Sequence, residues 1–404
     1  MSKKACIAFA EGCPRSYIDT AVLYKYFEAN GWEITQDPSQ ADMVLVGTCA
    51  FSKLSEEISV NLFSSIAKRS QKAKLFAFGC LPGINKSVLL KRFDAVPIMR
   101  SELNKLDDVI DAEVQMSEIT DVNILNGYVS QAMEVFTPDE RKRAIDKGSL
   151  LLRATHFASC RSPYPELAHE SNGREIYNIR VGHGCLSKCS YCAIRKALGD
   201  MQSKPLDKIE QEFSNGLANG HKRFSLIAED VGAYGQDIRM NIVGLLKMLF
   251  SYKDNFILSW DDFNPRWLLQ YSSELIPLLS DNQHRIGHIG LPVQSGSDRI
   301  LHLMKREYRS GDLLDCLSDI RIACPEIQID THFILGFPGE SSYDFNQTLH
   351  FLEKIKFYRA LPFVYTDRPG TESINMPGKV STAVKVWRFW QFRKKATSII
   401  KSSR

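Results

Sequence analysis

Three cysteines stand close together near the middle of the chain, in the stretch GHGCLSKCSYCAIRK. Cys185, Cys189 and Cys192 are spaced as C-x3-C-x2-C, and thiolates at such spacing are ligands for iron or zinc. A structural zinc site takes four ligands, usually from paired C-x2-C motifs, so a set of three fits it poorly. A four-iron cluster bound by three cysteines leaves one iron open to a substrate. The motif therefore predicts a metal cluster with one open coordination position.

Three further cysteines are spread along the first eighty residues. Cys13, Cys49 and Cys80 lie at or just beyond the ends of the predicted strands ACIAFA, ADMVLVGT and AKLFAFG. Ligands gather at the carboxyl ends of parallel strands, so the common position is compatible with a shared site. The cysteines are too far apart in sequence to form a local metal motif, and three separate thiols remain an alternative. The remaining cysteines are predicted to be small buried hydrophobic residues: Cys6, Cys160, Cys316 and Cys324.

The elements that must position these cysteines fall into two series. Up to about residue 125, strands alternate with helices, which predicts an N-terminal doubly wound parallel sheet of the α/β class. From Glu175, the strands YNIRVG, FSLIAED, NFILSWD, RIGHIGLP and IQIDTHFILG alternate with helical patterns. This series predicts a partial (β/α) barrel, whose chemistry lies at the carboxyl ends of its strands. The polar stretch from Asn126 to Arg174 is predicted to be a crossover and linker, and VSTAVKVWRFWQFRKKATSIIK a terminal helix.

Length and composition limit the class of protein. The 404 residues, 44% of them hydrophobic, are enough for two or three domains with sizeable cores. No apolar run approaches the ~18 residues needed to span a bilayer, and the N-terminal apolar run is too short for a signal peptide. We therefore expect a cytoplasmic protein whose ten cysteines are reduced thiols, metal ligands or core residues rather than disulfides.

The basic residues concentrate at the C-terminus. The net charge is +4, but residues 376–404 hold eight basic residues and no acidic one, so the rest of the chain is net acidic. The basic residues are Lys379, Lys385, Arg388, Arg393, Lys394, Lys395, Lys401 and Arg404. Such a tail favours contact with nucleic acid or another polyanion, with a solvated lysine-rich helix as the equal alternative.

The cysteine motif belongs to a longer pattern. The stretch GCLSKCSYCAIRKALGDMQSKP resembles the radical S-adenosylmethionine methylthiotransferases. LPVQSGSDRILHLMKREY, THFILGFPGESSYDF and YTDRPGTES are similar to later blocks of that family, and EGCPRSYIDT, GTCAF and GCLP to its N-terminal domain. The resemblance implies an N-terminal methylthiotransferase domain (1–130), a linker (131–174), a radical S-adenosylmethionine domain (175–375) and a basic C-terminal helix (376–404).

The resemblance also implies the cofactors. Two [4Fe-4S] clusters are expected, one binding S-adenosylmethionine through the three cysteines of the central motif. The other, auxiliary cluster would be held by Cys13, Cys49 and Cys80. The family replaces C–H by C–S–CH3, with one S-adenosylmethionine giving its methyl group to sulfur and another the 5′-deoxyadenosyl radical. We expect a monomer that makes no membrane contact and takes electrons from a donor such as flavodoxin or ferredoxin.

Four other residues are candidates for binding S-adenosylmethionine. Tyr191 precedes the last cysteine of the motif, where the resemblance implies a residue packed near the adenine; lining the cluster pocket is the alternative. Glu229, beside Asp230, and Gln294 end predicted barrel strands, with capping of the following turn as the alternative. Arg306 is suited to pairing with the cofactor carboxylate, or forms a surface ion pair. The sequence assigns no catalytic residue.

Two departures from the family pattern concern the auxiliary site and the C-terminus. Ser16 and Gly47 stand where the family usually has asparagine, which predicts an altered environment for the auxiliary cluster. Relatives that modify tRNA or the ribosome usually carry a small β-barrel substrate-binding domain after the RPGT block. This sequence ends about thirty residues beyond that block, so that domain is expected to be lacking.

The motifs leave several acceptors open. The leading hypothesis is methylthiolation of a tRNA adenosine near the anticodon, because AEDVGAYGQD resembles members that act on threonylcarbamoyl-adenosine. GCPRSYIDT and TCAF are closer to the member that modifies an aspartate of a ribosomal protein. The same chemistry on a protein, peptide or small molecule is therefore the alternative. A third hypothesis is a radical enzyme whose second cluster only relays electrons.

Overall fold

A computed structural model describes residues 3–10, 13–160 and 176–403. The chain divides into two compact units. The N-terminal unit consists of Met1–His156, Cys192–Gly199 and Asp367–Gly370, and the barrel unit of Phe157–Tyr191, Asp200–Thr366 and Thr371–Arg404. Glu11 and Gly12 of the first cysteine motif, residues 161–174 of the predicted linker and Arg404 of the basic tail lie outside the described residues.

The N-terminal unit is built on a five-stranded parallel sheet with the strand order β2-β1-β3-β4-β5. Its central strands are almost wholly apolar and buried because helices cover both faces, which confirms the predicted doubly wound sheet. Its first elements are β1 (Lys4–Phe9), α1 (Pro14–Ala29), β2 (Glu33–Ile34), β3 (Met43–Thr48), α2 (Lys53–Arg69), β4 (Lys74–Gly79), α3 (Cys80–Leu90), β5 (Val96–Met99) and α4 (Lys105–Ile110).

The segment expected to be a crossover and linker contains three helices. They are α5 (Asn126–Glu134), α6 (Pro138–Asp146) and α7 (Leu150–Cys160). Thr137 caps α6 by accepting from the Glu140 N–H, and the Glu140 carboxylate accepts from the Thr137 N–H. This reciprocal cap is encoded by the four residues TPDE, a helix-start signal that the polar composition of the segment obscures.

The barrel unit contains a six-stranded parallel sheet with the order β13-β12-β11-β10-β9-β6 and a short β7–β8 antiparallel pair. Its elements start with β6 (Tyr177–Arg180), β7 (Gly182–His183), α8 (Ile194–Leu198, part of the N-terminal unit), β8 (Gln202–Ser203), α9 (Leu206–Ala218), β9 (Arg223–Ile227), α10 (Ile242–Ser251), β10 (Ile257–Trp260), α11 (Pro265–Gln270) and α12 (Ser272–Asp281). They continue with β11 (Ile286–Gly290), α13 (Asp298–Leu303), α14 (Ser310–Ala323), β12 (Gln328–Leu335), α15 (Ser342–Lys354), β13 (Arg359–Val364) and α16 (Thr382–Ser403).

The five predicted strands are present, and the sixth, β13, was not predicted. Its sequence RALPFV carries Pro362 in the middle, and a proline argues against a central strand. β13 is an edge strand, however, so a missing N–H can be tolerated there.

The two faces of the barrel sheet differ in chemistry. The outer face is apolar and buried under helices: Ile179, Leu226, Leu258, Trp260, Ile289, Ile329, Phe333 and Leu335. Because side chains alternate along a strand, the opposite, inner face carries the residues between them. It is largely polar: Asn178, Ser225, Ser259, His288, Asp330, His332 and Arg359, with Asp261 directly after β10.

The C-terminal helix α16 is an integral part of the barrel unit. Phe389, Phe392 and Ala396 are buried, and Arg388 Nη1 donates to Glu340 Oε2 at 2.5 Å. Arg393 is also buried, so part of the predicted basic tail is used inside the fold. In the ranges that the structure describes, no helix has the length and apolar character that crossing a bilayer requires.

Candidate functional site

Cys13, Cys49 and Cys80 follow three strands that are neighbours in the N-terminal sheet. Cys13 is the N-cap of α1, Cys49 comes directly after β3, and Cys80 is the first residue of α3. The strands β1, β3 and β4 are adjacent and parallel, so their carboxyl ends meet at one edge. All three cysteines are half-buried. The fold therefore brings together at one sheet edge three thiols that are far apart in sequence.

Glycines shape the backbone around this edge. Gly79 has φ +100°, and a Cβ there would lie 2.6 Å from the Thr48 carbonyl oxygen, so only glycine lets β4 turn directly into α3. A Cβ at Gly47 would lie 2.4 Å from the ring of Phe9, so this ring excludes the asparagine usual in the family. At the other departure, Ser16 places its hydroxyl 3.4 Å from Cys13 Sγ.

The donors at this edge are thiols, the ligand type of iron–sulfur clusters. Among the residues that the structure describes, no three His, Cys, Asp or Glu side chains are placed to hold one metal ion. A four-iron cluster is larger, and each of its thiolate ligands binds a different iron. Three thiols on separate strands fit such a group, and the hydroxyl beside Cys13 can support it by hydrogen bonding to sulfur.

The central cysteine motif forms a loop after β7. Gly184, with φ +78°, precedes Cys185, and the Ser187 N–H points at Cys185 Sγ from 3.4 Å. Ser190 fixes the loop to the end of α13, because its N–H donates to the Met304 carbonyl at 3.1 Å and its hydroxyl to the Leu303 carbonyl at 2.7 Å. The loop is thus held by backbone contacts while its cysteines remain half-buried.

Arg306 lies against one of these cysteines. Its Nη1 is 3.6 Å from Cys189 Sγ, and its Nη2 donates to the Pro292 carbonyl at 3.0 Å. Burial alone would lower the pKa of the guanidinium, but Tyr308, Tyr191 and Cys189 outweigh it and raise the pKa. Arg306 is therefore a fixed cation beside Cys189 rather than half of a surface ion pair. Its pairing with the cofactor carboxylate stays a prediction.

Tyr191 packs into the wall beside the loop. Its ring meets Phe337 edge to face at 6.5 Å and contacts a buried group that includes Met304 and Tyr365. It is only half-buried, so a face is left for a ligand. The structure places it in the barrel unit together with Cys185 and Cys189, and its contact with adenine stays a prediction.

The strand-end residues divide into structural and candidate binding groups. Asp230 is buried and structural: it accepts from Trp267 Nε1 at 2.9 Å and from the Asn264 N–H at 3.2 Å, and burial raises its pKa. Glu229 follows β9 and is half-buried. Its contact with the cofactor stays a prediction. Gln294 has φ +70°, unusual for a residue with a side chain, and its backbone pairs with β12. A strained backbone at a strand end favours a functional role for Gln294.

A buried ion pair in the N-terminal unit was not predicted. Arg368 Nη2 donates to Glu56 Oε2 at 2.7 Å, and both side chains are at most 3% exposed. Burial raises the pKa of Glu56, but hydrogen bonds from Lys53, Asn85 and Arg368 outweigh it and hold that pKa below its usual range. The RPGT block thus supplies a structural arginine to this unit.

Two helices that begin at or just after a cysteine, α3 and α8, pack against each other. α3 begins at Cys80, α8 begins two residues after Cys192, and the two helices are in contact within the N-terminal unit. A Cβ at Gly83 of α3 would lie 2.6 Å from Ala197 Cα of α8. The two helices therefore approach at a distance that only glycine permits at this position.

The remaining described cysteines have the properties of core residues. Cys6, Cys316 and Cys324 are buried. Burial raises the pKa of Cys6 to about 12 and that of Cys316 to about 11, so neither forms a thiolate at neutral pH. This supports the prediction that they are packing residues. The side chain of Cys160 lies outside the described part.

Sequence comparisons identify relatives over most of the chain. Residues 6–100 match the uncharacterized protein family UPF0004, and residues 179–352 match the Radical SAM superfamily. A tRNA-2-methylthio-N(6)-dimethylallyladenosine synthase of Fervidobacterium nodosum is 30% identical, over 90% of this chain and 76% of that protein. A ribosomal protein uS12 methylthiotransferase of Geotalea uraniireducens is 29% identical, over 94% of this chain and 78% of that protein.

Solved structures agree on the fold. The radical S-adenosylmethionine methyltransferase TsrM of Kitasatospora setae, solved with cobalamin and a [4Fe-4S] cluster, superposes with a TM-score of 0.61 at 14% identity. The match covers 92% of this chain and 77% of that chain, and at this identity it supports the fold alone. The cysteine motifs, the order of the blocks and the sequence relatives agree, and the chain belongs to the radical S-adenosylmethionine methylthiotransferase family.

Proposed function

We propose that this enzyme methylthiolates an adenosine of tRNA near the anticodon. The reaction class is that of the family: a C–H bond is replaced by C–S–CH3 with the use of S-adenosylmethionine and two [4Fe-4S] clusters. A tRNA substrate would place the enzyme in the cytoplasm. The proposed electron donor is a flavodoxin or a ferredoxin.

Each cysteine set has its own proposed role. Cys185, Cys189 and Cys192 would hold the cluster that binds S-adenosylmethionine. The three cysteines at the edge of the N-terminal sheet would hold the auxiliary cluster. The bound clusters supply the electron that cleaves S-adenosylmethionine and the sulfur that is transferred. Arg306 keeps a positive charge beside Cys189, and the Ser187 N–H donates towards Cys185, so both stabilise negative charge on the thiolates.

The observation that carries the tRNA proposal is a cationic recess on the N-terminal unit. It lies between α2 and α6, has a volume of about 240 Å³ and is lined by Lys68, Arg69, Arg143 and Lys147. Arg69 is paired with Glu140, which leaves an excess of positive charge in the recess. Proteins bind nucleic acids largely through such cations at the phosphates. The relative at 30% identity, whose name denotes a tRNA-modifying enzyme, is consistent with this acceptor.

A ribosomal protein is the second candidate acceptor. Several relatives are named uS12 methylthiotransferases. The structure adds that Arg388 and Arg393 of the basic helix are buried, which reduces the charge that α16 can offer to RNA. A peptide or a small molecule would need the same two cysteine sites.

The test is mass spectrometry of nucleosides from total tRNA, with and without the gene. We expect a methylthio-adenosine that disappears on deletion, returns with the wild-type gene and does not return with Cys13→Ala. Cys316→Ala, which changes a core thiol, should restore the nucleoside and serves as the matched control. An unchanged nucleoside profile, together with a uS12 protein that loses a methylthio mass on deletion, would contradict the proposal in favour of the second candidate.

A further inference from the structure

The inner face of the barrel sheet carries titratable or charged side chains to which the cofactor sites assign no role. Asp261, His288, Asp330 and Arg359 come from the neighbouring strands β10 to β13, and we call them the inner-face cluster. His288 Nε2 lies 3.4 Å from Asp261 Oδ1, and Arg359 Nη2 donates to Asp330 Oδ2 at 2.6 Å. A parallel sheet that is packed on both faces has apolar residues on both. A charged face therefore indicates a space that admits water or a ligand.

The backbone of β11 makes room for this cluster. The pairing register between β10 and β11 shifts by one residue between Leu258 and Trp260, as in a β-bulge. A Cβ at Gly290 would lie 2.3 Å from Asp261 Oδ1, and a Cβ at Gly287 would lie 2.4 Å from Ser259 Oγ. Any side chain at these two positions would displace the polar groups of β10. Bulges and strand glycines are common where a side chain is re-aimed or a ligand approaches.

The cluster is reachable and incompletely paired. The side chains of Asp261 and His288 are 36% and 31% exposed, so a ligand can contact them. Asp330 is 5% exposed, and its Oδ1 has no hydrogen-bond partner within the described part of the chain. Arg359 Nε is in the same condition. Buried polar atoms in folded proteins are normally hydrogen-bonded, so these atoms next to an open face favour a bound ligand that completes them.

The charges limit what that ligand can be. Two carboxylates face one guanidinium and two imidazoles, those of His288 and of His332 on the same face of β12, so this group is negative while both imidazoles are neutral. It therefore has no excess positive charge with which to attract a carboxylate or a phosphate. Carboxylate oxygens accept hydrogen bonds from the amino groups of nucleobase edges. An N–H donor is the group that this cluster suits, and the acceptor adenine of the proposed function carries one at N6.

We propose that the inner-face cluster recognises the acceptor base by accepting a hydrogen bond from the exocyclic N6–H of the adenine that is methylthiolated. This inference rests on the proposed function and deepens it, because it identifies the residues that select the base. The four residues position the acceptor and make no bond to it. Asp330 and Asp261 are the acceptors, the hydrogen bond from Arg359 holds the carboxylate of Asp330, and His288 lies beside that of Asp261.

The test pairs a protein variant with a substrate analogue. The probe is an anticodon stem–loop RNA that carries N6-dimethylallyladenosine or N6-threonylcarbamoyladenosine, and the analogue is the same RNA with the N6 nitrogen replaced by oxygen. The reconstituted holoenzyme is assayed for KM and for methylthio product formed per 5′-deoxyadenosine. For the wild type, loss of the N–H should raise KM by about tenfold, within the range of one base-edge contact.

In Asp330→Leu, which has no acceptor oxygen, the adenine RNA should already show the raised KM, and the oxygen analogue should cost little more. Asp261→Leu, which removes the other acceptor, is the second variant if Asp330→Leu does not fold. Glu274→Gln, which removes an exposed ion pair with Lys247, is the control and should keep the wild-type response. Wild-type KM and coupling in both cluster variants would overturn this inference alone. Methylthiolation of uS12 but of no RNA by the wild-type enzyme would overturn the proposed function and, with it, the assignment of a base.

Discussion

Arg306 gives Cys189 a cationic neighbour that no change of pH in the physiological range can remove. Its guanidinium is fixed by the Pro292 carbonyl and lies over the ring of Tyr308 at 5.3 Å. In the proposed role of Cys189 as a thiolate ligand, which carries negative charge, a cation at 3.6 Å would stabilise the ligated form. The same guanidinium keeps donors for a carboxylate, which is how the predicted contact with S-adenosylmethionine would be made.

Arg306→Gln tests this role. We expect about 10- to 100-fold less 5′-deoxyadenosine, the range seen when a group behind a metal ligand is changed. The iron content should fall less than the yield of 5′-deoxyadenosine, because the three cysteines themselves are unchanged. Chromatographic measurement of 5′-deoxyadenosine in the reconstituted enzyme checks the result. Arg309→Gln, at an exposed position three residues on, is the control; equal loss in both variants, or loss in neither, would contradict the role.

At the scale of helices and strands, the contact between α3 and α8 depends on one glycine. Gly83→Ala places a Cβ against the backbone of Ala197, and a backbone cannot move aside as a flexible side chain does. Overpacking of this kind costs ~1–3 kcal/mol, which exceeds the gain in helix propensity of about 1 kcal/mol.

Urea denaturation of Gly83→Ala should therefore show a lower free energy of unfolding than the wild type. Gly127→Ala is the matched control: Gly127 lies in α5, and no atom is within 4 Å of its added Cβ. This control should be unchanged or stabilised by up to about 1 kcal/mol. If Gly83→Ala were as stable as Gly127→Ala, the two helices would not be in the close contact described.

Local sequence patterns were enough to predict some of the helices, strands and motifs, but not the contacts between distant parts of the chain. The central cysteine motif was predictable because its three cysteines are local in the chain, and the central strands because their apolar runs are strong. The common position of Cys13, Cys49 and Cys80 depends on the order of β1, β3 and β4, which long-range pairing sets. The contact between Arg306 and Cys189 joins residues 117 positions apart, and the glycines of β11 suggest a bulge without showing that His288 lies beside Asp261.

At the scale of the whole molecule, buried and bridged carboxylates control stability in acid. Asp344 accepts hydrogen bonds from Ser297 at 2.7 Å, from Ser341 at 2.5 Å and from Arg299. Burial raises the pKa of Asp344, but these donors outweigh it and hold the pKa far below its usual range. A group with a depressed folded-state pKa contributes stability that is complete above its unfolded pKa of about 4 and is lost as pH falls below it.

Thermal melts between pH 7 and pH 3 test this contribution. Asp344→Asn should lower the melting temperature at pH 7. Below about pH 4 the melting temperature of this variant should fall less steeply than that of the wild type, because one group whose pKa changes on unfolding is missing. Asp315→Asn, at an exposed position on α14, should reproduce the wild-type curve. A wild-type acid slope in Asp344→Asn would show that other carboxylates control the transition.

The ion pair between Glu56 and Arg368 has a consequence for biosynthesis. The two residues are 312 positions apart, so at about 5–20 residues per second a ribosome makes Arg368 some 15–60 s after Glu56. Until then the carboxylate of Glu56 lacks its buried arginine partner and has Lys53 and Asn85 beside it, and burying a charge with an incomplete set of partners is unfavourable. The N-terminal unit therefore reaches its final packing only when Asp367–Gly370 has left the ribosomal tunnel. Delivery of iron and sulfide to the cysteines of that unit is then expected only after Arg368 has been synthesised.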